Sequence, residues 1–180
     1  MELLTLSTAE DLMKLSTKGR YELIKGVIYE MSPSGERHGF IAWKIGYIIG
    51  KYVQENKLGI ITAAETGYKL SSEPDTVRAP DVAFKSNRKV QEGGITDGYS
   101  TVMPEIVVEV SSPSDSHGKV IKKVDLWLSS GVRQVWVVDP EEKNVIIYDE
   151  MGKHTIFENN DIIQVGEILP GFECKVNEIF

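Results

Sequence analysis

The run "EIVVEV", residues 105 to 110, constrains the fold more than any other stretch of the chain. Ile106, Val107, Val108 and Val110 put β-branched side chains on both faces of one segment, the pattern of a central strand covered from above and below. "SSPSDS" then breaks the run. Residues 117 to 130 place Val120, Val124, Trp127 and Leu128 on one helical face, with Gly131 as the stop. "VRQVWVVDP" reads as a second buried strand, and "NVIIYDE" returns through "PEEK" as its hairpin partner. Strand, helix, strand over residues 105 to 139 predicts a right-handed parallel crossover. The expected class is α/β (α+β), with a mixed central β-sheet flanked by helices.

The other segments add to that centre. Ser7 with Glu10 forms a capping-box pattern ahead of Leu12, Met13 and Leu15, so a short helix is predicted over about residues 7 to 17. "RYELIKGVIYEMS" alternates around "KG" as a hairpin whose first arm holds Glu22. Ile41, Ile45, Ile48, Ile49 and Tyr52 recur at helical spacing over residues 35 to 56, and Gly39, Gly46 and Gly50 would let that helix lie close to a sheet. "IITAAETGYKL" and "VRAPDVAFK" read as two strands joined by "SSEPDT", residues 86 to 103 as a surface loop with room for a helical turn, and the C-terminal remainder as short strands with a docked tail.

At 180 residues one domain spanning 1 to 180 is expected. No run approaches the roughly 18 apolar residues that span a bilayer. "MELLTLSTAEDL" carries acids where a secretory signal would carry basic residues, so the expected compartment is the cytoplasm, away from membranes. The single Cys174 closes no intramolecular disulfide, and three scattered histidines make no zinc pattern, so any metal must be held by oxygen. A formal charge of -7 argues against broad attraction to phosphate backbones while leaving room for a local basic groove.

Against this background Asp81, in "APDVAFK", and Glu109, inside the valine run, are out of place. An acid in a low-dielectric strand costs several kcal/mol unless it is paired, protonated or metal-bound. If their strands are neighbours, both acids project toward one point, where two bare carboxylates about 4 Å apart would repel by about 4 kcal/mol. A divalent cation removes that penalty, and Mg2+ or Mn2+ accepts such a donor set: Asp81, Glu109 and the Val110 carbonyl, completed by water. An ion so held can orient a phosphodiester and stabilise its leaving oxygen, and an ammonium nearby would assist. Lys123 flanks the apolar stripe of its helix and is the candidate amine.

In order and spacing, "RYELIKGVIYEMSP" with Glu22, His38 after it, "PDVAF", "EIVVEVSSPSD" and "KVDLWLSSGVRQVWVVDP" resemble the Uma-type putative restriction endonucleases of the PD-(D/E)XK nuclease superfamily. The resemblance covers about residues 7 to 150. It implies a restriction-endonuclease-like mixed sheet flanked by helices and metal-dependent phosphodiester hydrolysis, with DNA as partner. The superfamily acids fall on Asp81 and Glu109 and an additional acid on Glu22. A nuclease that must address two strands is expected to act as a homodimer. The superfamily lysine would stand at position 111, which is Ser; the resemblance places the amine instead on the following helix, at Lys123.

Plainer readings stand beside these. Asp81 could end a turn or cap a backbone group, Glu109 could be a strand-edge acid facing solvent or pairing with a lysine, Lys123 a solvated lysine beside Lys122, and Glu22 a cross-strand partner of Lys25 or Arg20. His38 fits a capping or packing residue, Trp127 and Trp136 fit the core, and Asp139 fits a turn before Pro140. Two alternatives to the endonuclease remain open: a nucleic-acid-binding or assembly module that keeps the fold without turnover, and a metal-dependent hydrolase of a small phosphoester.

Overall fold

The computed structural model describes residues 6–15, 19–113 and 115–180. Its elements run α1 (Ala9–Leu15), β1 (Tyr21–Ile24), β2 (Val27–Glu30), α2 (Glu36–Glu55), β3 (Gly59–Ala63), β4 (Tyr68–Ser71), β5 (Thr76–Arg78), β6 (Val82–Ser86), α3 (Asn87–Gly93), β7 (Ile106–Val110), α4 (His117–Ser129), β8 (Gln134–Asp139), β9 (Asn144–Asp149), β10 (His154–Glu158), β11 (Ile162–Gln164) and β12 (Glu173–Lys175), closed by a 3-10 turn at Val176–Glu178. Among these residues the larger sheet has the order β10-β9-β8-β7-β6-β3, the smaller has the order β2-β1-β5-β4, and β11 and β12 pair as a separate two-stranded ribbon. β7 and β8 are parallel while the other neighbours in the larger sheet are antiparallel. The expected crossover is therefore present, with α4 joining β7 to β8.

Every residue of β7 is buried, as the unbroken valine run requires. Its alternation divides the core. Ile106, Val108 and Val110 pack with Ile41, Ile45 and Ile49 of α2 and with the C-terminal tail through Ile163, Leu169, Phe172 and Ile179. Val107 faces the other way, with Ala83, Val135 and Val137, onto Val124 and Trp127 of α4. Glu109 shares the parity of Val107, so the fold turns its carboxylate toward α4. α2 lies close to the sheet through two of its glycines: a Cβ at Gly46 would stand 3.2 Å from Val82 and one at Gly50 3.6 Å from Ile61, whereas Gly39 faces open space.

Several local expectations are corrected. The capping box forms one residue later than Ser7 and Glu10: Thr8 Oγ1 accepts from the Asp11 N–H at 3.2 Å, and Asp11 Oδ2 accepts from the Thr8 N–H at 3.0 Å. Ser7 is diverted because its own N–H donates to the Gly26 carbonyl. α1 ends at Leu15, and residues 16 and 17 of the predicted helix lie outside the described residues. The two strands expected between residues 59 and 86 are four, divided between two sheets. Pro80 has no N–H to give a ladder, so "VRAPDVAF" breaks there and the chain passes from the smaller sheet to the larger. The loop after residue 86 contains α3, capped by Ser86 Oγ, which accepts from the Lys89 N–H.

The hairpin of "KG" is as expected. Lys25 and Gly26 both have positive φ, 50° and 77°, which matches the twist of the paired strands. No helix among the described residues is long and apolar enough to cross a membrane.

Candidate active site

The switch of sheets at Ala79 and Pro80 brings two pairs of charged residues to one cleft of about 550 Å³. The first pair belongs to the larger sheet. β6 and β7 pair with Val82 opposite Val108, so one step further Asp81 stands opposite Glu109, and cross-strand partners share a face. Asp81 is anchored there by its own backbone, whose N–H donates to the Val108 carbonyl at 3.1 Å. Its Oδ2 accepts from the Val110 N–H at 2.8 Å. The second pair belongs to the smaller sheet. Leu23 is opposite Val77, which sets Glu22 against Arg78, and their side chains meet at 2.9 Å between Oε2 and Nη2. Glu22 therefore pairs with neither Lys25 nor Arg20; the latter binds Glu65 instead.

α4 supplies the groups that make Glu109 tolerable in the core. Lys123 and Trp127 are one helical turn apart and point the same way. Lys123 Nζ donates to Glu109 Oε2 at 3.2 Å, and Trp127 Nε1 donates to Oε1 at 2.7 Å. Burial pushes the Glu109 carboxyl above its ordinary range, with Asp81 adding to that effect and Lys123 opposing it. The Glu109 carboxylate in turn raises Lys123 above an ordinary lysine, against the effect of its own burial. Trp127 is thus a core residue, as its sequence context indicates, and also a donor to the site. Removing that donor isolates the problem: Trp127→Phe is expected to destabilise the fold by about 2 kcal/mol, the range for a lost bond to a buried charged acceptor, measured by urea unfolding. An unchanged midpoint would mean that Glu109 does not depend on the indole.

His38, expected to cap or pack, opens into the same cleft from the first turns of α2. Its Nε2 lies 3.3 Å from Asp81 Oδ2, and the Val110 main chain is its other neighbour. The hydrogen bond to Asp81 raises its pKa, against the effect of burial. Arg78, which carried no sequence signal beyond standing three residues before Asp81, is buried, and its Nε has no partner among the described residues. Asp139 makes the expected turn, with Oδ1 accepting from the N–H groups of Glu141 and Glu142.

Among the described residues no three His, Cys, Asp or Glu side chains converge as a ready-made metal cage. The donor chemistry nevertheless fits a hard cation, which takes one or two carboxylates, a main-chain carbonyl and several waters. Asp81 Oδ1 accepts no hydrogen bond from the described residues, and the Asp81 charge adds to the cost of charging Glu109, which a cation would relieve. Glu109 is less free, since both of its oxygens already hold donors.

The chain resembles a solved protein of the same fold: the crystal structure of a putative nuclease from Anabaena variabilis superposes with a TM-score of 0.81 over 96% of this chain and 97% of that one, at 21% sequence identity. The curated proteins contain no match. The sequence profile of the family described as "Uma2: Putative restriction endonuclease" matches residues 9–177, nearly the whole length, and the chain belongs to that family.

Proposed function

We propose that the chain is a metal-dependent endonuclease that hydrolyses DNA phosphodiester bonds, built as one nuclease-like domain. The observation that carries the reading is the opposition of Asp81 and Glu109 on neighbouring strands, in a cleft that also receives the Lys123 amine. Family membership supports it. Asp81, Glu109 and the Val110 carbonyl would hold Mg2+ or Mn2+, which when bound supplies Lewis acidity toward the phosphate oxygens and a more acidic water.

The chain's own groups divide the remaining work. Lys123, held beside Glu109, presents its ammonium to the attacking water and to the charge that develops on the phosphate. Arg78 adds a second cation close enough to act on Glu109 and Lys123 electrostatically, and Glu22 fixes its guanidinium. His38 and the Val110 N–H hold Asp81 Oδ2, which orients Oδ1 toward the cleft. Trp127 locks Glu109 in one direction.

The test is conversion of supercoiled plasmid to nicked and linear forms with Mg2+ or Mn2+, abolished by chelator. Metal-loaded protein that cuts neither DNA nor RNA in any form would sink the reading. A second reading, a nucleic-acid-binding module without turnover, draws on the engagement of both Glu109 oxygens and on Ser111 in place of the motif lysine. It predicts DNA affinity without cleavage that is insensitive to Glu109→Gln. Homodimerisation is proposed for the case in which both strands of a duplex are cut, and sedimentation velocity reports it directly.

A further inference from the structure

The face of α2 that turns away from the core is not polar. Phe40, Trp43 and Tyr47 are 49%, 62% and 55% exposed and follow one another at helical spacings of three and four residues. They form a continuous ladder: the Phe40 and Trp43 rings are 6.3 Å apart, and Trp43 and Tyr47 stack at 5.7 Å with an interplanar angle of 18°. Lys44 lies over the Phe40 ring at 5.5 Å, and Lys51 follows Tyr47 on the same helical face. One end of the ladder meets the candidate active site. Trp43 and Tyr47 border a depression of about 510 Å³ whose wall also includes His38 and Asp81.

From these features we infer that the α2 ladder is a stacking platform for an unpaired nucleic-acid strand, which it feeds to the phosphodiester cleft at Asp81. The inference rests on the nuclease reading and narrows its substrate class to single-stranded or locally opened nucleic acid. Aromatic side chains interleaved with lysines suit such a strand, because every base has a face to stack and every phosphate a charge to neutralise. An intact duplex offers its base faces only at its ends, so it cannot use the ladder. From Phe40 to Tyr47 the helix rises about 10 Å, room for two or three stacked bases. A second copy of the chain is the weaker occupant. A two-fold contact centred on Trp43 would bring Lys44 toward its own symmetry mate.

Trp43 also provides the signal for a test, since Trp127 and Trp136 are fully buried. The full-length chain in chelator, where no cleavage occurs, is titrated with a short oligothymidylate while tryptophan emission is followed, and variants are compared by the anisotropy of a labelled oligothymidylate. Saturable, salt-sensitive quenching is expected. Trp43→Ala and Tyr47→Ala should each weaken binding about ten-fold or more, Trp43→Phe should retain most of it, and a duplex of the same length should bind more weakly. Affinity unchanged in both alanine variants, or a duplex bound as tightly as the single strand, overturns the inference. So does a dimer that Trp43→Ala dissociates without altering oligonucleotide affinity, since the face would then belong to the second copy. Wild-type cleavage with ladder variants that bind normally removes this inference alone. Binding that depends on the ladder in a chain that cuts nothing removes only the nuclease reading.

Discussion

Asp81→Asn and Glu109→Gln are each expected to lower Mg2+-supported cleavage by about a thousand-fold while the protein stays folded. The first substitution keeps an oxygen for the Val110 N–H at the position of Oδ2, so the junction between the two sheets is preserved and only charge is removed. The second keeps an acceptor for Trp127 and takes a charge out of the core, where burial already holds the carboxyl above its ordinary range. Losing one anionic ligand removes several kcal/mol of charge stabilisation at the reacting phosphate, and each 1.36 kcal/mol is about ten-fold in rate. Initial rates on supercoiled plasmid measure the effect. Calorimetric titration with Mn2+ should show the same two variants binding the ion more weakly, a readout that does not require turnover. Wild-type rates in either variant, with urea unfolding showing an intact fold, would place the chemistry elsewhere.

The parts of this arrangement that were legible in the sequence are those governed by local pattern. The valine run, the helix after it and the second buried strand each carry their own periodicity, and together they fix the crossover that aims Glu109 at α4. Asp81 and Glu109 stood out because each violates the apolar pattern around it. Arg78 and His38 did not, because nothing local marks them. Arg78 sits in a strand of three residues whose partner, β1, lies more than fifty residues earlier, and only the register of Leu23 with Val77 sets it against Glu22. His38 stands one and two turns before Ile41 and Ile45 on the core-facing side of α2, an ordinary place for a packed histidine, until the packing of α2 beside the β6 and β7 ends brings it to Asp81. The smaller sheet was hidden for a related reason. Strands as short as β4 and β5, with no turn signal like Lys25–Gly26 to set them off, merge in the sequence with their neighbours β3 and β6, and only the sheet pairing separates them. Trp127 was read correctly as core, but one atom of its ring does something that an apolar pattern cannot encode.

Lys123 is where fold and chemistry can be separated most sharply. Lys123→Met is expected to reduce cleavage by about a hundred-fold or more and to destabilise the protein by about 3 kcal/mol, because Glu109 is then left buried with one donor and only the more distant charge of Arg78. A purely structural lysine would show the second effect without the first. The double variant Lys123→Met with Glu109→Gln removes the stranded charge, so it should regain most of the stability while staying inactive; urea unfolding and cleavage rates are read on the same preparations. Ser111 allows the converse experiment. It follows Glu109 by two residues, so by strand alternation its side chain leaves the same face, and the preceding pairing is continued by its N–H to the Val138 carbonyl. Ser111→Lys in the Lys123→Met background therefore returns an ammonium to the cleft from the strand instead of the helix, and part of the lost rate should come back. Recovery of stability without any recovery of rate would mean that the amine must approach from α4, on the far side of Glu109, to reach the phosphate. Wild-type cleavage by Lys123→Met itself would confine the lysine to neutralising Glu109 and leave Arg78 as the cation that faces the substrate.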